Sequence, residues 1–118
     1  MLVVDDQEPV RSALRDMISA AGGFAVVGEA CSGEEATEAV KTLAPQLVLM
    51  DVVMPGIGGI AAAREILRRR SAPMVVLISV DDPALNADAV SLGPRVTLAR
   101  KQDLRPPRLR QLWETRGE

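Results

Sequence analysis

Leu47-Val48-Leu49-Met50-Asp51-Val52-Val53-Met54-Pro55-Gly56 decides the fold of this 118-residue chain. Four consecutive apolar side chains, with Pro45 just ahead and Pro55-Gly56 just behind, are too few for a helix and suit a strand buried on both faces. Such strands belong to parallel sheets covered by helices, where polar groups gather at the carboxyl ends of the strands. Asp51 stands at that end.

Outward from it the same alternation recurs. Leu2-Val3-Val4 is a short strand that stops at Asp5-Asp6. Pro9 suits a first helical turn, and Val10, Leu14, Met17 and Ile18 follow at helical spacing up to Gly22-Gly23. Phe24 to Val27 reads as a second strand. Ser32 and Glu35 form a capping box for a helix running to Leu43. After the Asp51–Gly58 loop comes a helix with Ile60, Ala63, Ile66 and Leu67 inward, closed by Arg68-Arg69-Arg70. Met74 to Ile78 is a fourth strand, Pro83 to Leu92 a short helix, Val96 to Leu98 a fifth strand, and Arg105 to Arg116 a last helix opened by Pro106-Pro107. Five βα units in series predict an α/β fold, a doubly wound sandwich formed by right-handed crossovers. With no repeat, low-complexity tract or linker, residues 1–118 read as one domain.

Composition narrows the function. Phe24 and Trp113 are the only aromatics, so the core is aliphatic. The net charge of −2 argues against a general nucleic-acid binder. Arg95 to Glu118 nevertheless holds 7 basic and 3 acidic side chains, against 7 basic and 13 acidic before it; a solvated helix face and a partner surface both fit. With one cysteine, Cys31, and no histidine, an internal disulfide, a Cys–His nucleophile and a zinc site are all implausible. A reducing, cytoplasmic setting is expected. The longest apolar stretch, Pro73 to Val80, falls far short of the roughly 18 residues of a membrane span.

The polar residues supply the chemistry. Asp5 and Asp6 end the first strand, Asp51 the third and Ser79 the fourth, while Lys101 follows the fifth. Each has a plainer reading when taken alone: the first two as helix caps, Asp51 as a turn former, Ser79 and Lys101 as surface residues. Jointly the fold brings them to one edge. Three close carboxylates call for a cation, and Mg²⁺ suits a few carboxylates with water and phosphate. A lysine and a hydroxyl beside them are what a phosphoryl group requires. The residues therefore point to Mg²⁺-assisted phosphoryl transfer onto an aspartate.

Leu2 to Asp6, Leu47 to Gly56 followed by Gly59, and Leu77-Ile78-Ser79 together resemble the response-regulator receiver domain across nearly the whole chain. The resemblance implies a flavodoxin-like, five-stranded parallel sheet in a three-layer sandwich. It implies that Asp51 is the phosphoacceptor of a two-component system, phosphorylated by a sensor histidine kinase, in a switch rather than a turnover enzyme. Asp6 would ligate Mg²⁺ directly and Asp5 through water, with Asp51 and the Val53 backbone carbonyl completing the protein ligands. Ser79 would bond the phosphoryl group, and Lys101 would pair with it or, before phosphorylation, with Asp51. The implied output is a phosphorylation-dependent homodimer, or DNA contact through a helix-turn-helix domain not included in these residues.

The pattern departs from the family near the fifth strand. Thr97 and Leu98 stand where an aromatic residue is usual, and the spacing from Gly93 would put Arg100 at the lysine position, although Gln102-Asp103-Leu104 favours Lys101. The first strand is short, consistent with a few residues missing ahead of Met1. A degenerate receiver acting as a phosphorylation-independent interaction module stays open for that reason. An aspartate-nucleophile phosphatase does not fit, since Val53 occupies the place of its second acid.

Overall fold

The computed structural model describes residues 1–79 and 82–116. Its elements are β1 (Leu2–Val4), α1 (Glu8–Ala21), β2 (Gly28–Ala30), α2 (Gly33–Leu43), β3 (Leu47–Asp51), α3 (Gly58–Leu67), β4 (Met74–Ser79), α4 (Pro83–Val90), β5 (Val96–Arg100), a one-turn 3₁₀ segment (Lys101–Asp103) and α5 (Pro106–Glu114). The strands form one parallel sheet in the order β2-β1-β3-β4-β5. The expected doubly wound, flavodoxin-like topology is what the chain adopts.

Strand alternation builds the two cores. Leu2, Val4, Val48, Met50, Val75 and Leu77 face one side, packed with Ala36 and Val40 of α2, Ala62, Ala63 and Ile66 of α3, and Ala89 of α4. Val3, Leu47, Leu49, Val76 and Ile78 face the other, against Leu14 and Ile18 of α1 and Leu109 and Leu112 of α5. The core strands are therefore apolar on both faces. The small residues on α3 let α2 come close: a Cβ on Gly33 would lie 3.0 Å from the Ala62 Cβ.

Several boundaries move from their expected places, by one or two residues except at the second strand. The second strand is Gly28–Ala30 rather than Phe24 to Val27. Leu2 pairs with Gly28 and Val4 with Ala30, while Phe24 and Val26 pack partly buried under the sheet as a lead-in. Pairing with β1 overrides apolar content here. The fifth strand runs on to Arg100 because its register with β4 continues through Ser79. Ser32 caps α2 by accepting the Glu35 N–H at 3.1 Å, yet the Glu35 carboxylate accepts from the Cys31 thiol, so the capping box is half formed.

The basic cluster of the last segment is also divided. Arg110 donates to the Ala21 carbonyl at the end of α1 (2.6 Å), tying α5 to α1 where the helix dipole favours a cation. Arg108 donates to Gln111. No helix among the described residues is long and apolar enough to cross a membrane.

Candidate functional site

Strand order reverses between β1 and β3, so their carboxyl ends open the crevice that doubly wound sheets use for ligands. Asp5 follows β1 directly and Asp51 closes β3. Asp5 is only 1% exposed, the one charged residue so buried among those described. Its Oδ1 accepts the Gln7 N–H at 2.8 Å, while its Oδ2 is buried without a hydrogen-bond partner. Asp51 repeats the turn, its Oδ1 accepting the Val53 N–H at 3.1 Å. Aspartates favour this fold-back onto the amide two residues on. The turn-former reading thus accounts for one oxygen of each acid. Neither Asp5 nor Asp6 is the N-cap of α1, which is Gln7.

Burial pushes the half-buried Asp51 carboxyl up to about 6; the Val53 amide pulls it down, the neighbouring Asp5 carboxyl pushes it up, and the charge of Lys101 pulls it down. A buried, half-satisfied carboxylate beside a second one is an arrangement that a hard divalent cation relieves. Among the described residues no three His, Cys, Asp or Glu form a cage. The expected close grouping of Asp5, Asp6 and Asp51 is therefore not formed: Asp5 and Asp51 are neighbours, and Asp6 stands exposed apart from them.

Asp6, Asp51, Val53, Pro55 and Lys101 line one cleft of about 560 Å³ beside Gln7, Val10 and Met54. Asp6 is exposed at its rim, and Val53 is 54% exposed. Lys101, not Arg100, is the basic residue lining it, because β5 ends at Arg100 and the 3₁₀ turn begins with Lys101. The expected direct pairing of Lys101 with Asp51 is not formed: no ion pair among the described residues joins them. Lys101 is exposed and its charge acts on Asp51 across the cleft. Ser79 ends β4 in register with Arg100; its side chain lies outside the described residues.

Gly59 explains how α3 approaches so closely. A Cβ there would lie 2.1 Å from the Asp51 carbonyl oxygen, and its N–H donates to the Val52 carbonyl at 3.0 Å. One residue at the site escaped sequence reasoning: Glu34, whose carboxylate sits against Gly56 and accepts the Ile57 N–H. Nothing in its spacing marks it, since it reaches the loop from a different element.

On β5, Leu98 packs toward the α2–α3–α4 core, whereas Thr97 lines a second cleft with Trp113. The two aromatics form an edge-to-face pair, with ring centroids 6.4 Å apart and planes at 79°. That cleft also includes Gln46, Met74 and Pro94, at the amino ends of the strands. The aromatic pair sits at the edge opposite Asp51.

A doubly wound parallel sheet with acids at its switch point defines the class: an α/β domain of flavodoxin-like topology. Residues 1–109 match the family model described as "Response regulator receiver domain", and the chain belongs to that family. It is 46% identical over 85 residues to the response regulator GacA of Pseudomonas viridiflava, covering 70% of this chain and 40% of GacA. It is 36% identical over 105 residues to the protein-glutamate methylesterase/protein-glutamine glutaminase 4 of Geobacter metallireducens, covering 86% of this chain and 30% of that protein. The response regulator domain of Thermotoga maritima CheB superposes with a TM-score of 0.84 at 27% identity, covering 99% of this chain and 95% of that one. The chain thus spans less than half the length of these curated relatives, and its role is that of a two-component receiver.

Proposed function

We propose that Asp51 is the phosphoacceptor of this receiver and takes its phosphoryl group from a sensor histidine kinase. The observation that carries the reading is the pair of strand-end carboxyls, one buried with an unpartnered oxygen and the other pushed up to about 6. The Val53 amide fixes one oxygen of Asp51, which orients the carboxylate for attack. As the new phosphorus–oxygen bond forms, the phosphorus–nitrogen bond of phosphohistidine breaks and its electron pair leaves with the imidazole. Lys101 supplies positive charge to the cleft as negative charge accumulates. The Ser79 hydroxyl, placed at the end of the neighbouring strand, would donate to a phosphoryl oxygen.

Asp5, Asp6, Asp51 and the Val53 carbonyl are the groups that would hold Mg²⁺. Bound there, the ion would neutralise the carboxylates and the phosphoryl oxygens.

In this reading residues 1–118 are a receiver domain acting as a cytoplasmic switch rather than a turnover enzyme. Its output passes to a homodimer contact, or to DNA through a helix-turn-helix domain beyond the matched region. This chain covers 30% of the length of the methylesterase, and that protein's activity is not carried over to it. Incubation with acetyl phosphate and Mg²⁺ followed by intact-mass measurement tests the assignment. A phosphoryl adduct that disappears in Asp51→Asn is expected. No adduct at saturating donor would favour the phosphorylation-independent module instead.

A further inference from the structure

Residues 53–57 carry the proposed metal carbonyl and one wall of the cleft; the Met54 side chain anchors them in the core, but few hydrogen bonds hold their backbone. Their side is fixed at its ends, by the Val53 N–H to Asp51 Oδ1 (3.1 Å) and the Gly59 N–H to the Val52 carbonyl (3.0 Å). Between those ties, the one hydrogen bond reaching these residues from another element, among the described residues, comes from α2. The Ile57 N–H donates to Glu34 Oε1 at 3.4 Å. The rest of the Glu34 carboxylate lies against Gly56. A Cβ built on Gly56 would fall 2.6 Å from Glu34 Oε2 and 2.8 Å from Oε1. Gly56 also has φ +84, a conformation that favours glycine. Two demands meet at this glycine: the turn after Pro55 and the seat for a carboxylate. Gly33 completes the contact, since a Cβ there would lie 2.8 Å from the Gly58 carbonyl oxygen.

We propose that Glu34 is a positioning residue for the phosphorylation site: it clamps the loop after Asp51 from the first turn of α2 and fixes the Val53 segment that Mg²⁺ would use. The inference rests on the reading of Asp51 as phosphoacceptor. Glu34 touches neither Asp51 nor the cleft, so it acts through the loop. Its part is that of a hydrogen-bond acceptor aimed at Ile57, and a side-chain amide oxygen can do the same.

Three measurements on the full chain test this: amide exchange at Ile57, Mg²⁺ affinity from amide NMR shifts, and the rate of phosphorylation by acetyl phosphate. Glu34→Ala is expected to remove protection at Ile57 and to weaken Mg²⁺ binding about threefold to tenfold, the loss of one partly exposed hydrogen bond. Glu34→Gln is expected to restore both to near the parent values, which a general loss of α2 stability would not do. Glu34 is exposed, so the variants should fold; Glu34→Asp, one methylene too short to reach, should behave like the alanine variant. Unchanged Ile57 exchange in Glu34→Ala, or a glutamine variant as defective as the alanine one, overturns the clamp. If the parent chain takes no phosphoryl group, the phosphoacceptor reading fails, while Ile57 exchange and Mg²⁺ affinity still decide the clamp.

Discussion

Asp5 and Asp51, at the ends of adjacent strands, each commit one carboxylate oxygen to the amide two residues on, at 2.8 and 3.1 Å, and meet across the strand gap with what remains. The shared turn geometry faces both acids inward at the point where strand order reverses. One carboxyl is buried with an oxygen that nothing satisfies, and the other is pushed up to about 6, first by its own burial. Without a cation this pair is a built-in instability. A cation bound between them would relieve it.

That instability has a sign. The folded Asp51 titrates near 6, above its ordinary 3.8, so the native state favours the protonated form. The stability this confers is fully present below about pH 4 and is lost as pH rises through about 6. Asp51→Asn keeps an acceptor for the Val53 amide and removes the titration. In chelator at pH 7.5 it should be more stable than the parent by about 1–2 kcal/mol, the full shift discounted for partial exposure. The difference should vanish near pH 4 and shrink when Mg²⁺ is added. Urea unfolding at the two pH values measures it, and equal stability of the two proteins at pH 7.5 would refute it.

Most of this arrangement was legible in the residues. Met50-Asp51 and Val4-Asp5 mark strand ends because an apolar run stops at an acid, and the fold class follows from five such runs alternating with helical periods. The position of β2 was not legible. Gly28-Glu29-Ala30 has no strand character of its own and is a strand only because β1 pairs with it. The reach of Arg110 to Ala21 and of Glu34 to Gly56 was hidden for a related reason. Each joins segments far apart in sequence, and only the packed chain decides which exposed charges have partners.

Val53 is 54% exposed at the mouth of the cleft and has no side-chain group able to hold water. A phosphoryl group on Asp51 would therefore face a wall that cannot orient an attacking molecule. Val53→Asn places a donor and acceptor there. Decay of the phosphorylated protein should accelerate by roughly threefold or more, the effect of one added hydrogen bond to the attacking water. Loss of the phosphoryl adduct over time, followed by intact mass, measures the rate; indistinguishable decay curves would count against this role.

Trp113 is the single tryptophan and lies with Phe24 at the amino edge of the sheet. It packs with Arg116 over its ring, 3.5 Å from the centroid, and lines the cleft formed by Gln46, Met74 and Pro94. A cation held by Asp5, Asp6 and Asp51 would touch none of these. Titration with Mg²⁺ should therefore leave the Trp113 emission unchanged while amide shifts near Asp51 move. A saturable quench of Trp113 by Mg²⁺ would mean that the ion binds elsewhere, or that the two edges are coupled through the sheet.

Ala44 is the only described residue other than glycine with positive φ, at φ 46 and ψ 54, where it closes α2 by donating its N–H to the Val40 carbonyl at 3.1 Å. Left-handed backbone costs an L side chain roughly 1–2 kcal/mol, because its Cβ crowds the following carbonyl, and glycine is the residue helices usually place there. Ala44 is exposed and contributes nothing to either core cluster, so removing its methyl leaves no cavity. Glycine does return some freedom to the unfolded chain, which offsets part of the gain. The balance favours Ala44→Gly by about 0.5–1 kcal/mol, a rise in Tm of roughly 2–5 °C for a chain of this size. Thermal unfolding with Mg²⁺ affinity held as a control checks it. A lower Tm would show that the turn into Pro45 depends on the methyl group itself rather than on the backbone angle it tolerates.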